Sequence, residues 1–315
     1  MFGTKEGGNM LLKDKIPLGY VLGKVKYELM LVVLYASIVA LLFRTFNVKD
    51  ISIPIAVPTI MGTVISLLLA FRSNQAYDRW WEARNIWGAI VNDSRTLTRQ
   101  VLSFAAEGVY QEEEFTHFRT AFVRRQIAWT YSLGQSLRKL NGTQGLDRLI
   151  GKRELQQIAH YDNKPNALLD MHGRDIAYAL QKGWINAYQH VELDRTLTRL
   201  CDNMGKCERI KNTIFPVTYS LYLHFTIIFF ILLLPFSVID FFGWMEVPLV
   251  TAIAASFLLI EKMAIQLQDP FENKPTDTPM TTISRTIEKD LRQMLNDHAQ
   301  FTETEVQPIA SFYVL

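Results

Sequence analysis

Cysteine, clustered histidine and phosphate-binding glycine loops are scarce or missing in this 315-residue chain. Its two cysteines, Cys201 and Cys207, lie six residues apart on a predicted helix, a spacing that fits neither a zinc site nor a redox pair. The six histidines do not fall at metal-ligand spacing, and no HExxH, GxSxG or CxxC motif is present. Without a visible nucleophile, general base or cofactor site, the chain is not expected to be an enzyme.

A strong charge of either sign is also lacking. The net charge of +2 at pH 7 gives no reason to expect nucleic acid as a partner. Residues 1–26 are polar and the first apolar run begins after them, so no cleavable signal peptide is expected. The chain is 49% hydrophobic and 20% charged, and its apolar residues are collected into runs. This segregation predicts a protein that lies partly in a membrane and partly in water.

Four apolar runs could form membrane helices. Residues 51–71 and 215–239 contain no Asp, Glu, Lys or Arg, and each is long enough as a helix to cross a bilayer. Residues 29–43 and 247–260 are shorter, about 21–23 Å as helices, and would need flanking polar side chains to complete a span. We expect four spans arranged as two hairpins.

Positive charge orients these hairpins. Lysines precede the first span, arginines follow the second, and Lys206, Arg209 and Lys211 precede the third, whereas the two hairpin tips carry little net charge. The positive-inside rule then places both termini and the long middle segment in the cytoplasm. The expected location is the inner membrane of a bacterial cell, crossed several times.

The predicted fold class is an all-α membrane protein with a large cytoplasmic helical domain. In the water-side part, apolar residues recur every three or four positions, and helix breaks are expected near residues 105–112, 141–148 and 161–166. A further helix is expected from about residue 281 to 294, with an apolar stripe of Ile283, Ile287, Leu291 and Met294. The predicted divisions are a cytoplasmic N-terminal segment 1–26, a first transmembrane hairpin 27–71, a cytoplasmic helical domain 72–212, a second hairpin 213–265, and a cytoplasmic tail 266–315 that packs on a neighbouring subunit.

One intramembrane histidine stands out. His224 lies inside the third predicted span. An ionisable group in a membrane segment is a functional candidate by default, but a histidine that bonds to a neighbouring helix is the simpler interpretation.

The second predicted span carries a stripe of small and hydroxylated residues. Thr59, Thr63, Ser66 and Ala70 recur at helical spacing, and Pro54 precedes them where the helix begins. Such a stripe suits a close helix–helix contact, because small residues let two backbones approach. It equally suits a face that lines an aqueous pore, and the residues alone do not decide between the two.

Directly after this span the helix becomes rich in Arg, Trp and Tyr. The segment FRSNQAYDRWWEAR, residues 71–84, resembles the signature of the bestrophins, in particular their prokaryotic members. The matching positions beyond Phe71, which we expect to be structural, are Arg72, Asn74, Tyr77, Arg79, Trp80, Trp81, Glu82 and Arg84. The resemblance extends from about residue 24 to about residue 294.

This resemblance implies a homopentameric ion channel whose central pore is surrounded by five copies of the second span. Three rings of side chains line a narrow neck in the family, and they correspond here to Thr63, Leu67 and Phe71. Large apolar residues usually occupy all three positions, so Thr63 is a departure that should make one level of the neck wetter. The implied partners are further copies of the chain, membrane lipid and the permeant ions.

The family also has a second constriction, a cytoplasmic aperture. Counting back from Gly205 and Pro216 reaches Trp184 and Ile185, and Ile185 is the predicted aperture residue.

The segment QDPFEN, residues 268–273, resembles a family segment that precedes a calcium-binding clasp in animal members. Here Asp269, Glu272 and Asp277 could form at most a degenerate cation clasp, because Ca²⁺ prefers six to eight oxygen ligands and Lys274 lies among them. Activation by calcium is not expected, and no cofactor is predicted.

The permeant ion is left open by the residues. Similarity to prokaryotic members favours monovalent cations, and an anion channel of the same architecture, for example for chloride, is the alternative. A membrane-anchored scaffold and a secondary transporter are further alternatives, although a transporter usually shows repeated halves and broken or charged spans.

Overall fold

The computed structural model describes residues 18–46, 53–105, 108–213, 216–274 and 276–297. This part of the chain contains α-helices and short 3₁₀ turns and no strand, which confirms the predicted all-α class. The helices are α1 (Leu18–Gly23), α2 (Lys26–Phe46), α3 (Ala56–Ser103), α4 (Glu113–Leu137), α5 (Lys152–Ala159), α6 (Lys164–Gln181), α7 (Ala187–Asn212), α8 (Val217–Phe242), α9 (Glu246–Leu267) and α10 (Met280–Met294).

The chain divides into two compact units. Of the described residues, 18–46, 53–80 and 216–269 form the apolar unit, and 81–105, 108–213, 270–274 and 276–297 form the bundle unit. One helix, α3, belongs to both, because it runs without interruption for 48 residues. The predicted continuation of an apolar span into a charged helix, with no linker between them, is confirmed.

The apolar unit is built from α2, α8, α9 and the first part of α3. Ile65 and Leu69 of α3 pack in its core with Leu223 and Ile227 of α8 and Val250 of α9. These aliphatic side chains hold the helices together through close packing, since lipid offers no hydrophobic driving force between helices.

The turn between α8 and α9 falls at Gly243–Met245, a single 3₁₀ turn within the predicted tip of the second hairpin. Gly243 has a φ of +56°, and a β-carbon there would lie 3.0 Å from Nη2 of Arg44. Only glycine combines that backbone angle with so close an approach. The guanidinium of Arg44 also lies over the Trp244 ring, with 4.9 Å between its Cζ and the ring centroid, so the end of α2 packs against this turn.

A proline within α8 interrupts the helical hydrogen bonds of that unit. Pro235 has no amide N–H, so a carbonyl one turn earlier loses its usual donor. Two nearby carbonyls accept bonds from outside the helix: Tyr35 donates to the Leu232 carbonyl at 2.8 Å, and the Ile53 amide donates to the Phe236 carbonyl at 3.2 Å. Carbonyls on either side of the proline thereby gain partners from outside α8.

Three helical stretches of the described residues are long and apolar enough to cross a membrane: Lys26–Phe46, Ala56–Ser103 and Val217–Leu267. The third contains both α8 and α9, joined by the 3₁₀ turn.

The bundle unit has its own aromatic core. Trp87 of α3 and Phe122, Ile127 and Trp129 of α4 are fully buried there. The helix breaks expected from the sequence are present, after α3, α4 and α5. The amide of Asn166 donates to the side chain of Asn163 at the start of α6, and Asn186 forms a capping box with Gln189 at the start of α7.

The last described helix, α10, buries the predicted apolar stripe. Ile283, Ile287 and Leu291 lie in the core of the bundle unit, and Met294 is half-buried against it. Residues 298–315 of the predicted tail lie outside the described residues.

Candidate conduction path

The first part of α3 has two opposite faces. Ile65, Leu69 and Arg72 are at most 2% exposed and point into the apolar unit. Leu67 and Phe71 are 59% and 58% exposed, and Thr63 is exposed with them. Since each residue turns a helix by about 100°, positions four apart shift by only about 40°. The three predicted neck residues therefore share one open face of the helix.

The hydroxylated stripe lies along the same open side. Thr59, Thr63 and Ser66 are exposed, and each hydroxyl donates to the carbonyl four residues earlier, at 2.7, 2.9 and 2.7 Å. Most of the surface of the stripe therefore stays open within the described part of the chain. The close approach is made instead by Gly62, where a β-carbon would lie 3.5 Å from the Phe230 ring. The hydroxyl oxygens retain lone pairs for water or ions.

The opposite face of α3 carries the first signature residue. Arg72 is 2% exposed and pairs with Glu261 of α9 across 3.7 Å. The same carboxylate lies 3.0 Å from Nδ1 of His224 on α8. The interpretation of His224 as a side chain bonded to a neighbouring helix is confirmed. A buried ion pair that bridges helices fixes their rotation, because removal of one partner leaves a charge in an apolar surrounding.

Other signature residues also serve as tethers. Arg79 donates from Nε to the Gln268 carbonyl at 2.9 Å, which ties α3 to the segment that follows α9. The Tyr77 and Trp80 rings have centroids 5.8 Å apart. In the bundle unit, Glu82 pairs with Arg209 of α7 at 2.6 Å.

The remaining signature residues are more open. Trp81 is 49% exposed, Asn74 is exposed and Arg84 is half-buried.

The predicted aperture residue is not on an open surface. Ile185 is 7% exposed and lies in the core of the bundle unit, where it lines a small apolar cavity with Phe115 and Leu193. Its neighbour Trp184 is also buried and donates from its indole nitrogen to Glu112 at 3.0 Å. A side chain that forms a ring with other copies must face outward from its own chain. Ile185 does not meet this requirement, because the loop before α7 folds inward to fill the core.

The segment similar to the calcium clasp is internally paired. Lys274 forms an ion pair with Glu272 through its side chain, and its amide donates to Asp277 at 2.9 Å. Asp269 belongs to the apolar unit, and the other two acids belong to the bundle unit. Within the described residues, no group of three or more His, Cys, Asp or Glu side chains could hold a metal ion.

Two exposed residues were not identified as candidate site residues from the sequence. Tyr188, in the first turn of α7, is 86% exposed. Asp78 is exposed on α3 between signature residues. The sequence could have indicated Asp78, because it lies eleven residues after Leu67 and seven after Phe71 and so falls on the same side of the helix. For Tyr188 the sequence offered only its position two residues after a helix cap.

The helical stretches that are long and apolar enough to cross a membrane, together with the long α3 helix and its open face, define a helical membrane protein. Residues 9–293 match the family model described as bacterial and fungal bestrophin. The chain belongs to the bestrophin family, and the resemblance carried by residues 71–84 is confirmed.

Individual relatives agree with this assignment. The voltage-dependent anion channel-forming protein YneE of Escherichia coli K12 is 30% identical over 282 residues, which cover 90% of each chain. Its namesake from Salmonella typhi is 30% identical over 276 residues, which cover 88% of each chain. A crystal structure of a bacterial bestrophin homologue from Klebsiella pneumoniae is 29% identical, with a TM-score of 0.78, and covers 86% of this chain and 98% of that chain. The family is channel-forming and is not a class of enzymes.

Proposed function

We propose that this protein is a homopentameric ion channel whose central neck is formed by α3 from each copy. Thr63, Leu67 and Phe71 form the three levels of the neck. The observation that carries the proposal is the open face of α3: in a chain of a channel-forming family, large apolar side chains and hydroxyls are exposed on one side of the helix, opposite the buried Ile65, Leu69 and Arg72. That exposed arc is wide enough to supply both a pore lining and contacts between copies.

The proposed topology has four spans. The helices α2 and α3 form the first hairpin, within residues 27–71, and α8 and α9 form the second, within residues 213–265. The termini, the domain 72–212 and the tail 266–315 lie in the cytoplasm of a bacterial cell, because positive charge flanks the spans on that side. The tail packs on a neighbouring copy.

The neck has one wet level and two dry ones. Leu67 and Phe71 present apolar side chains, which gate by expelling water from a narrow passage. Thr63 presents a hydroxyl whose proton is used within the helix and whose lone pairs are open. Ions then meet their main barrier at Leu67 and Phe71.

The cytoplasmic aperture is assigned to the start of α7, at Tyr188 in place of Ile185. Tyr188 is 86% exposed within its own chain. The buried Trp184 and the capping box of Asn186 and Gln189 hold the first turn of α7 in place beneath it. A tyrosine ring has an apolar body and a polar tip, which suits a constriction at a water boundary.

Two lines of support differ on the sign of the permeant ion. The relatives carry the name voltage-dependent anion channel-forming protein, which favours anions. Similarity to prokaryotic bestrophins led us to favour monovalent cations. The apolar neck has no charge of its own with which to select, so charged residues beyond it decide.

Reversal potentials test both conduction and its sign. The purified protein is placed in a planar bilayer with asymmetric NaCl, and a reversal potential near the equilibrium potential of Na⁺ or Cl⁻ identifies the ion. Steady single-channel currents also exclude a scaffold, which conducts nothing, and a secondary transporter, whose turnover is too slow to resolve. An absence of current in well-assembled protein would reject the proposal.

The neck is tested by the double variant Leu67→Ala with Phe71→Ala. It is expected to raise the single-channel conductance, because it widens the passage and lowers the barrier to wetting. Leu34→Ala with Leu41→Ala is the matched control, since these leucines of α2 are also exposed, at 58% and 56%. Unchanged conductance in the neck variant, or an equal rise in the control, would remove Leu67 and Phe71 from the pore.

A further inference from the structure

Beyond the neck, α3 carries a negative charge in the same angular register. Asp78 lies seven residues after Phe71 and eleven after Leu67, so it falls within about 20° of each around the helix. Its distance from Phe71 along the helix axis is about 10 Å. The side chain is exposed. Whatever space Leu67 and Phe71 face, the carboxylate of Asp78 faces it too.

Between Ala56 and Asp78, no other charged side chain of α3 shares that face. From Ala56 to Phe71 the helix has no charged side chain. Arg72 is buried and pairs with Glu261. Arg79 lies about 100° from Asp78 around the helix, on the side where it donates to the Gln268 carbonyl.

Asp78 is also not neutralised by a described neighbour. No described side chain forms an ion pair with it, whereas Glu82, one turn later, pairs with Arg209. The field of an exposed carboxylate without a paired cation reaches into the aqueous space that it borders. The charge is effective over about 10 Å at 0.1 M salt, which is the distance to the inner end of the neck.

We propose that Asp78 is a selectivity-determining residue: one carboxylate per copy forms a ring at the inner end of the neck that favours cations over anions. The inference rests on the proposed channel function and identifies the charge that biases the choice between cations and anions. Rings of Asp or Glu beside an apolar constriction raise the local cation concentration and lower that of anions. The ring acts against the anion preference suggested by the relatives' names.

The test is the reversal potential of Asp78→Asn in a bilayer with a tenfold NaCl gradient at low ionic strength. Relative to the unmodified channel, the reversal potential is expected to move towards the Cl⁻ equilibrium potential, with the Na⁺/Cl⁻ permeability ratio at least about threefold lower. Asp78→Lys is expected to move it further. The direction holds whichever ion dominates in the unmodified channel. At about 1 M salt the difference should shrink, because the screening length falls to about 3 Å.

Asp202→Asn is the matched control, because Asp202 is an exposed carboxylate of α7 and its loss changes the net charge equally. It should leave the reversal potential unchanged. If Asp78→Asn does not assemble, the reversal potentials of Asp78→Ser and Asp78→Glu are compared instead. Only the serine variant removes the charge, so only that variant should shift the reversal potential. Equal reversal potentials for the charged and neutral forms at low salt would overturn the inference while conduction itself stands. An absence of current in the unmodified protein would instead reject the proposed channel.

Discussion

At the scale of single residues, neighbouring apolar side chains that look equivalent in the sequence differ greatly in burial. Ile185 and Tyr188 lie three residues apart, on either side of the start of α7, yet one is 7% and the other 86% exposed. The difference arises from Trp184, whose indole N–H bonds to Glu112 and whose ring packs within 5.4 Å of the Phe115 ring centroid. That anchor turns the following residue inward. Periodicity could not show this, because Ile185 lies in the loop before the helix.

The two residues are expected to respond differently to truncation. Ile185→Ala leaves a cavity in the bundle core and should lower the free energy of unfolding by about 2–4 kcal/mol, with little change in conductance. Tyr188→Ala removes an exposed ring and should leave the unfolding midpoint nearly unchanged while it raises conductance. Thermal unfolding in detergent and single-channel recording check the pair. The opposite pattern would return the aperture to Ile185.

At the scale of elements, α10 is held by one carboxylate. Glu288 is 3% exposed and accepts bonds from Arg148 at 2.6 and 2.8 Å, from Tyr131 at 2.8 Å and from Arg292 at 3.0 Å. Burial acts to raise its pKa, but the bonds from Arg148 and Tyr131 and the nearby positive charges outweigh it, and the pKa of Glu288 is lowered from 4.5. The ionised form is therefore the one that binds α10 to α4.

This pKa shift predicts an acid-sensitive helix. Because the folded pKa lies below the unfolded one, the stabilisation is complete above about pH 4.5 and is lost as the pH falls through the folded pKa. Hydrogen exchange over α10 should accelerate at pH 3.5 relative to pH 7, after correction for the intrinsic rates.

The variant Glu288→Gln isolates this contribution. It should weaken α10 at neutral pH by about 2 kcal/mol, the usual scale for bonds to a charged group, and should show a smaller further loss in acid. Equal acid sensitivity of α10 in both forms would assign the effect to other carboxylates.

The elements themselves were largely predictable from the sequence. The apolar stripe of α10 follows from periodicity. The continuity of α3 follows from the lack of any proline between Pro58 and the end of the helix at Ser103. The turn between α8 and α9 falls where two apolar runs are separated. The sequence could not predict which side chains would pair. Glu261 of α9 contacts both Arg72 and His224 because of how the helices are rotated, and those rotations are set by packing between residues far apart in the chain. The angular position of Asp78 on α3 could be predicted from the sequence, but its exposure to solvent could not.

At the scale of the whole molecule, a single chain cannot complete the proposed pore, because its neck residues line only one side. The assembly is expected to contain five copies of the 36.3 kDa chain. Native mass spectrometry from mild detergent measures this directly. A mass of one chain would contradict the shared pore, and another copy number would keep the pore but change its width.

The most direct test of the central claim is chemical modification of Leu67. Leu67→Cys and Leu34→Cys are made in a Cys201→Ser background, in which the remaining native cysteine, Cys207, is buried. Both are labelled in detergent with a positively charged methanethiosulfonate reagent, the extent of labelling is measured by mass, and the channels are then reconstituted. The labelled Leu67→Cys channel should lose most of its current and the labelled Leu34→Cys channel should keep it. A fully labelled Leu67→Cys channel with undiminished current would contradict a pore lined by the open face of α3.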